Sequence, residues 1–354
     1  MNSYPAGFWH RNPDGRIQCD LCPRECKLKE GQRGLCFVRQ HVDNQLVLTT
    51  YNRSSGFCID PVEKKPLNHF LPGTPILSFG TAGCNLTCKF CQNWDISRSK
   101  ESERLTEKAS PGKIAAAASL HQCDSVALTY NEPVIFLEYG KDVADACHEL
   151  GLRVVAVTNG YIHKEAREAF FSFLDAANVD LKAFTESFYK TLTGGDLKTV
   201  LDTLSYIRKK TDVWLEITTL VIPGENDSDK EIEQMVNWIL NELGPETPLH
   251  FSAFHPDYKM TEKRSTSLSS LIRVRDIARE KGMHHVYTGN VTYAPGDTTF
   301  CHNCNKPLIE RKWYEISKYQ LTESGCCKYC GTQLAGRFGR KAGDWGATRK
   351  PIRL

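Results

Sequence analysis

Cys84, Cys88 and Cys91 follow a C-x3-C-x2-C spacing on the glycine-rich stretch Gly80-Thr-Ala-Gly-Cys84. Cysteine thiolates hold iron–sulfur clusters, and a four-iron cubane takes four ligands. Three thiolates leave one iron open to a substrate or cofactor, as an open position does on catalytic zinc. The same trio completed by a distant histidine would instead make a zinc site.

The chain has 354 residues and 15 cysteines, and the remaining cysteines also fall into sets. Cys301-x2-Cys304 and Cys327-x2-Cys330 are two paired knuckles with 22 residues between Cys304 and Cys327. Four thiolates in that pattern close a tetrahedral zinc site, as in a zinc ribbon, and closed sites are structural. Near the N-terminus, Cys19, Cys22, Cys26 and Cys36 have the ligand count for zinc or for a second cluster; their spacing does not choose, a structural metal is the favoured reading, and free thiols are the remaining alternative. Cys58, Cys123 and Cys147 read as small buried apolar residues. Cys326 could take the place of Cys327, but the Cys-x2-Cys spacing favours Cys327.

The elements that must position the trio alternate between strand and helix. Pro75–Phe79 is a short apolar run ending at Gly80. Lys113–Gln122 is helical behind Pro111. Ser125–Tyr130 reads as a strand and Val134–Leu150 as a helix stopped by Gly151. Arg153–Thr158 is a β-branched strand closed by Asn159-Gly160. Strands over Ala177–Leu181, Val213–Ile222 and Leu249–Phe254 then alternate with helices over 164–173, 197–209, 228–243 and 267–281. His284–Thr288 is a last strand-like piece. Such alternation argues for a mostly parallel sheet covered by helices, either doubly wound or barrel-like.

The trio, with Phe90 just before its third cysteine, resembles the signature of radical S-adenosylmethionine enzymes. Thr129-Tyr-Asn131-Glu132-Pro133 stands where that superfamily has a Gly-Gly-Glu-like segment for the methionine end of the cofactor. Thr158-Asn159-Gly160, Asp180-Leu-Lys182, Val221-Ile-Pro223-Gly224-Glu-Asn-Asp227 and His255 resemble segments of activases similar to pyruvate formate-lyase activating enzyme. Val157 replaces the acidic residue that the activase has before Thr-Asn-Gly. Over nearly the whole chain the resemblance is to the radical SAM member of the AmmeMemoRadiSam system. It is carried by Cys19–Cys26, Asp60–Phe70, Thr81-Ala-Gly-Cys-Asn, Cys91-Gln-Asn-Trp-Asp-Ile-Ser97 and the C-terminal paired cysteines.

The resemblance implies a 4Fe–4S cluster on Cys84, Cys88 and Cys91. The open iron would hold S-adenosyl-L-methionine, whose reductive cleavage gives a 5′-deoxyadenosyl radical. It also implies cofactor-contacting roles for Asn131, Glu132, Asn159, Asp180, Lys182 and His255. Each has an ordinary alternative. Glu132 could serve as helix N-terminal charge, Asn159-Gly160 as a turn, Asp180 and Lys182 as a surface pair, and His255 as a structural histidine. Trp94 reads as core packing. All these segments fall at carboxyl ends of expected strands, where parallel α/β folds place their sites. The fold class expected is therefore α/β, a partial (β/α) barrel of about six parallel strands, open on one side. An N-terminal Cys-rich module (1–70) and a C-terminal zinc-ribbon-like module with tail (296–354) would flank a core over 71–295.

Composition narrows the function classes. With 45 basic and 42 acidic residues the net charge is +3, without a basic face that would point to nucleic acid. No apolar stretch reaches the ~18–20 residues of a membrane span, and Met1–Gly15 lacks the apolar core of a signal peptide. A cytoplasmic enzyme is expected, since thiols stay reduced there. The partners that follow from the resemblance are an electron donor such as flavodoxin or ferredoxin and the two companion proteins of the AmmeMemoRadiSam system. An activase that makes a glycyl radical on a partner protein, and a non-enzymatic zinc-stapled adaptor, are the competing functions.

Overall fold

A computed structural model describes residues 4–98 and 107–354. Its centre is a nine-stranded sheet. In chain order the strands are β1 (Phe57–Pro61), β2 (Pro75–Phe79), β3 (Ser125–Leu128), β4 (Arg153–Thr158), β5 (Ala176–Asp180), β6 (Trp214–Val221), β7 (Leu249–Ala253), β8 (Val286–Gly289) and β9 (Lys350–Ile352). Strands β2 to β8 are parallel and lie side by side in sequence order. β1 runs antiparallel beside β2, and β9 antiparallel beside β1. β8 and β9 are the two edges, so the sheet does not close. The parallel strands number seven rather than about six, because the short piece after His284 also joins the sheet.

These strands carry apolar runs rather than alternation. Val154, Val155 and Ala156 are all fully buried, as is β5 from Ala176 to Val179. Both faces are therefore covered, the usual setting of parallel strands. The covering helices are α1 (Pro111–Leu120), α2 (Leu137–Glu149), α3 (Lys164–Phe171), α4 (Leu197–Lys210), α5 (Asp229–Glu242) and α6 (Leu268–Glu280). Their starts follow from local chemistry. Pro111 opens α1, while Asp196, Ser228 and Ser267 cap α4, α5 and α6 by accepting from backbone N–H groups. Gly151 takes φ +74° just after α2, a left-handed conformation that turns the chain into β4.

The flanking modules are β structures. Tyr4–Pro5, Gln45–Leu48 and Arg39–Val42 form one three-stranded sheet, and Trp9–Arg11, Ile17–Cys19 and Lys27–Leu28 another. Thr299–Phe300, Pro307–Lys312 and Glu315–Tyr319 form the C-terminal sheet, with its own core of Leu308, Ile309, Leu321 and Leu334 around Cys301 and Cys327. β1 comes from the segment before residue 70 and β9 from the tail. The central sheet thus draws on all three expected segments of the chain.

Candidate active site

A cavity of about 250 Å³ lies at the carboxyl ends of the parallel strands. Cys84, Cys88 and Cys91 line it, together with Asn131, Glu132, Asn159, Asp180 and Lys182. The segment that follows β2, from Gly80 to Cys91, brings the trio there. Thr81 N–H donates to Asn131 Oδ1 (2.8 Å), and Asn131 Nδ2 donates to Thr81 Oγ1 (3.2 Å) and to the Gly83 carbonyl (3.0 Å). Both amide hydrogens and the carbonyl of Asn131 are thereby committed to holding the loop. Gly80 and Gly83 permit this closeness. A Cβ on Gly80 would stand 2.3 Å from the Thr129 carbonyl oxygen, and one on Gly83 would stand 2.0 Å from that of Cys36.

Glu132 is 4% exposed. Its carboxylate accepts from Thr158 Oγ1 (2.6 Å), from Asn159 N–H (2.8 Å) and from Val134 N–H (3.1 Å). The last bond caps the 3-10 turn Pro133–Phe136, so the helix-terminal role is real. Burial pushes the carboxyl up to about 7, against the pull of those three donors. Asn159 Nδ2 donates to Asn85 Oδ1 (2.9 Å) and contacts Cys84 Sγ (3.8 Å), while its Oδ1 accepts from Tyr161 N–H (2.8 Å). The turn thus links Glu132 to the first cysteine.

Lys182 Nζ pairs with Asp180 Oδ2 at 2.9 Å, and both side chains also line the cavity. Burial works against the lysine charge, but the Asp180 carboxylate outweighs it and holds the ammonium above its ordinary range. Burial likewise raises the Cys84 thiol well above its usual value and Cys88 to about 11. Bare thiols so placed stay protonated, and a bound cationic centre is what ionises them. No three donor atoms from the trio lie within 4.8 Å of one another, so the trio does not close around a single ion.

His255 is not brought in. Phe254 is buried and its backbone is tied to Thr266 on both sides, which turns the next residue outward, and His255 is exposed. Trp94 is 41% exposed instead of core, stacked on Tyr258 with Nε1 donating to Asp257. Sequence reasoning missed Thr218, Ser252 and Gln92, which also line the cavity. Thr218 pairs in register with Asp180, and Ser252 with Leu220, so strand ends were the available signal. Thr218 Oγ1 and Gln92 Nε2 are buried without a hydrogen-bond partner, which suits a polar ligand in this cavity.

The C-terminal knuckles converge. Cys301 and Cys330 sulfurs stand 3.6 Å apart, and those of Cys304 and Cys327 3.8 Å apart. Thiolates about 2.3 Å from one tetrahedral ion would be spaced by about this much. Cys326 turns to Gln333 instead.

Residues 79–239 match the family model of the radical SAM superfamily. The matched span takes in the three-cysteine loop and strands β3 to β6, and the chain belongs to the radical SAM superfamily of enzymes. Among its relatives, an uncharacterized protein of Methanocaldococcus jannaschii is 38% identical over 93% of this chain and 98% of its own length. The 4-hydroxyphenylacetate decarboxylase activating enzyme of Clostridioides difficile is 22% identical over 80% of this chain and 93% of its own. A radical SAM methyltransferase from Sphaerobacter thermophilus shares the fold, with a TM-score of 0.50 at 17% identity, covering 81% of this chain and 77% of that one.

Proposed function

We propose that this protein binds a 4Fe–4S cluster on Cys84, Cys88 and Cys91 and cleaves S-adenosylmethionine reductively at it. The observation that carries the reading is one cavity at the strand ends. It joins three thiols, a buried carboxylate and a half-buried ammonium, with unpartnered polar atoms beside them. When bound, the cluster and S-adenosylmethionine supply a 5′-deoxyadenosyl radical able to abstract hydrogen from a substrate C–H bond. The chain's own part is binding and exclusion of water. Glu132 keeps one acceptor direction beyond its three protein bonds and takes the methionine ammonium. Lys182, charged through its Asp180 pair, complements the methionine carboxylate. Thr218 and Gln92 supply further hydrogen bonds. The C-terminal thiols hold a structural zinc ion.

The likeness to activating enzymes favours a second reading, in which the hydrogen comes from a glycine of a partner protein. The resemblance to the AmmeMemoRadiSam member adds two companion proteins as candidate partners, and flavodoxin or ferredoxin as donor. Spin resonance of the anaerobically reduced protein tests the binding step. Adding S-adenosylmethionine should shift the cluster signal in the wild type and shift it less in Glu132→Gln. An unchanged signal in the wild type would contradict the proposal.

A further inference from the structure

Cys19, Cys22, Cys26 and Cys36 line a single cavity beneath the N-terminal sheets. Their spacing differs from that of the C-terminal set. No three of their sulfurs lie within 4.8 Å of one another, whereas Cys301, Cys304, Cys327 and Cys330 all do. One zinc ion draws four thiolates to about 3.8 Å. A four-iron cubane puts its own irons and sulfides between the thiolates and holds them farther apart. The N-terminal set therefore behaves like the Cys84 trio and unlike the ribbon. Arg24 also lines this cavity, a positive charge beside an anionic group.

We propose that these four cysteines hold a second 4Fe–4S cluster, fully ligated by protein. It lies beside the trio's loop. Arg24 Nε donates to the Asn85 carbonyl at 2.8 Å, and the Cys36 carbonyl packs against Gly83. The test is anaerobic reconstitution, with iron and sulfide, of a chain carrying Cys84→Ser, Cys88→Ser and Cys91→Ser. About four irons per chain should remain, with a reduced-cluster spin signal, and adding Cys22→Ser should remove both. Zinc in place of iron at this site would overturn the proposal. If the triple variant does not fold, Cys22→Ser in the otherwise intact chain decides. Iron falls by about four atoms if the proposal holds and stays unchanged if it does not. A trio that binds no cluster would leave the triple variant's iron untouched, so the two failures are distinguishable.

A different observation points to a second site. His284, His285 and His302 present ring nitrogens that all lie within 4.8 Å of one another. His285 is 2% exposed, and neither of its ring nitrogens has a partner. A neutral imidazole has one donor and one acceptor, and burying both unpaired is costly. His284 Nδ1 is unpartnered as well. The geometry assigns these three residues to a transition-metal ion of the kind imidazole favours, zinc among them. The ion would tie the ribbon, through His302, to the sheet edge at β8. Equilibrium dialysis of the metal-loaded protein against Zn²⁺ tests it. The wild type should take up about one further ion per chain, and His302→Ala, altered at an exposed position, should not. Equal uptake by the two proteins, or none by the wild type, would overturn the assignment.

Discussion

Glu132 accepts three hydrogen bonds from its own chain and still faces the cavity, so its charge state matters to both fold and site. Its folded value of about 7 stands above the ordinary 4.5, with burial as the largest cause. The stabilising contribution of the neutral form is fully present below about pH 4.5. It is lost as pH rises through about 7, because the folded chain holds the extra proton in that window. The wild type should therefore lose stability relative to Glu132→Gln between pH 5 and 7, by at most about 3 kcal/mol. Urea unfolding at the two pH values checks this, and parallel curves would refute it. That the three cysteines, Asn131, Glu132, Asn159, Asp180 and Lys182 would share a cavity was legible from motif and strand-end position. Their hydrogen-bond economy was not. That Asn131 is consumed in holding the loop depends on partners some fifty positions away, Thr81 and Gly83.

At the scale of elements, the loop after β2 is shaped by contacts rather than by propensity. Gly83 has φ +85° and abuts the Cys36 carbonyl, so it is the joint between the trio and the N-terminal module. Gly83→Ala should cost at least about 1–2 kcal/mol from the left-handed backbone alone. It should also lower iron content after reconstitution. A variant with wild-type iron and midpoint would show that the loop is not so constrained. Strands and helices were readable to within a few residues where periodicity, Pro111 and Gly151 agreed. Less readable was β1, a five-residue buried strand whose sequence, Phe-Cys-Ile-Asp-Pro, includes an ionised aspartate. Lys64 and Lys65 both pair with Asp60 at 2.8 Å, which lets that carboxylate be buried.

At the scale of the molecule, the modules are tied by buried charge. Arg311 of the C-terminal sheet donates to the Asn68 carbonyl (2.8 Å) and Thr299 Oγ1 (2.9 Å), and pairs with buried Glu63 at 3.4 Å. Arg311→Ala leaves Glu63 without its counter-charge and should cost about 3–5 kcal/mol. A fall in thermal midpoint of several degrees checks it, and an unchanged midpoint would mean that the ribbon contributes little to the core. The pairing of β9 with β1 could not be read from sequence, since a three-residue edge strand near the end of the chain carries no periodic signal.

The trio's role rests on redox chemistry with S-adenosylmethionine. The most direct measurement is 5′-deoxyadenosine formed by the anaerobically reconstituted, reduced protein, set beside Cys88→Ala prepared in the same way. The wild type should form 5′-deoxyadenosine and methionine in equal amounts, and Cys88→Ala should form neither. A wild type that carries a cluster yet forms no 5′-deoxyadenosine, or a Cys88→Ala variant that matches it, would contradict the account.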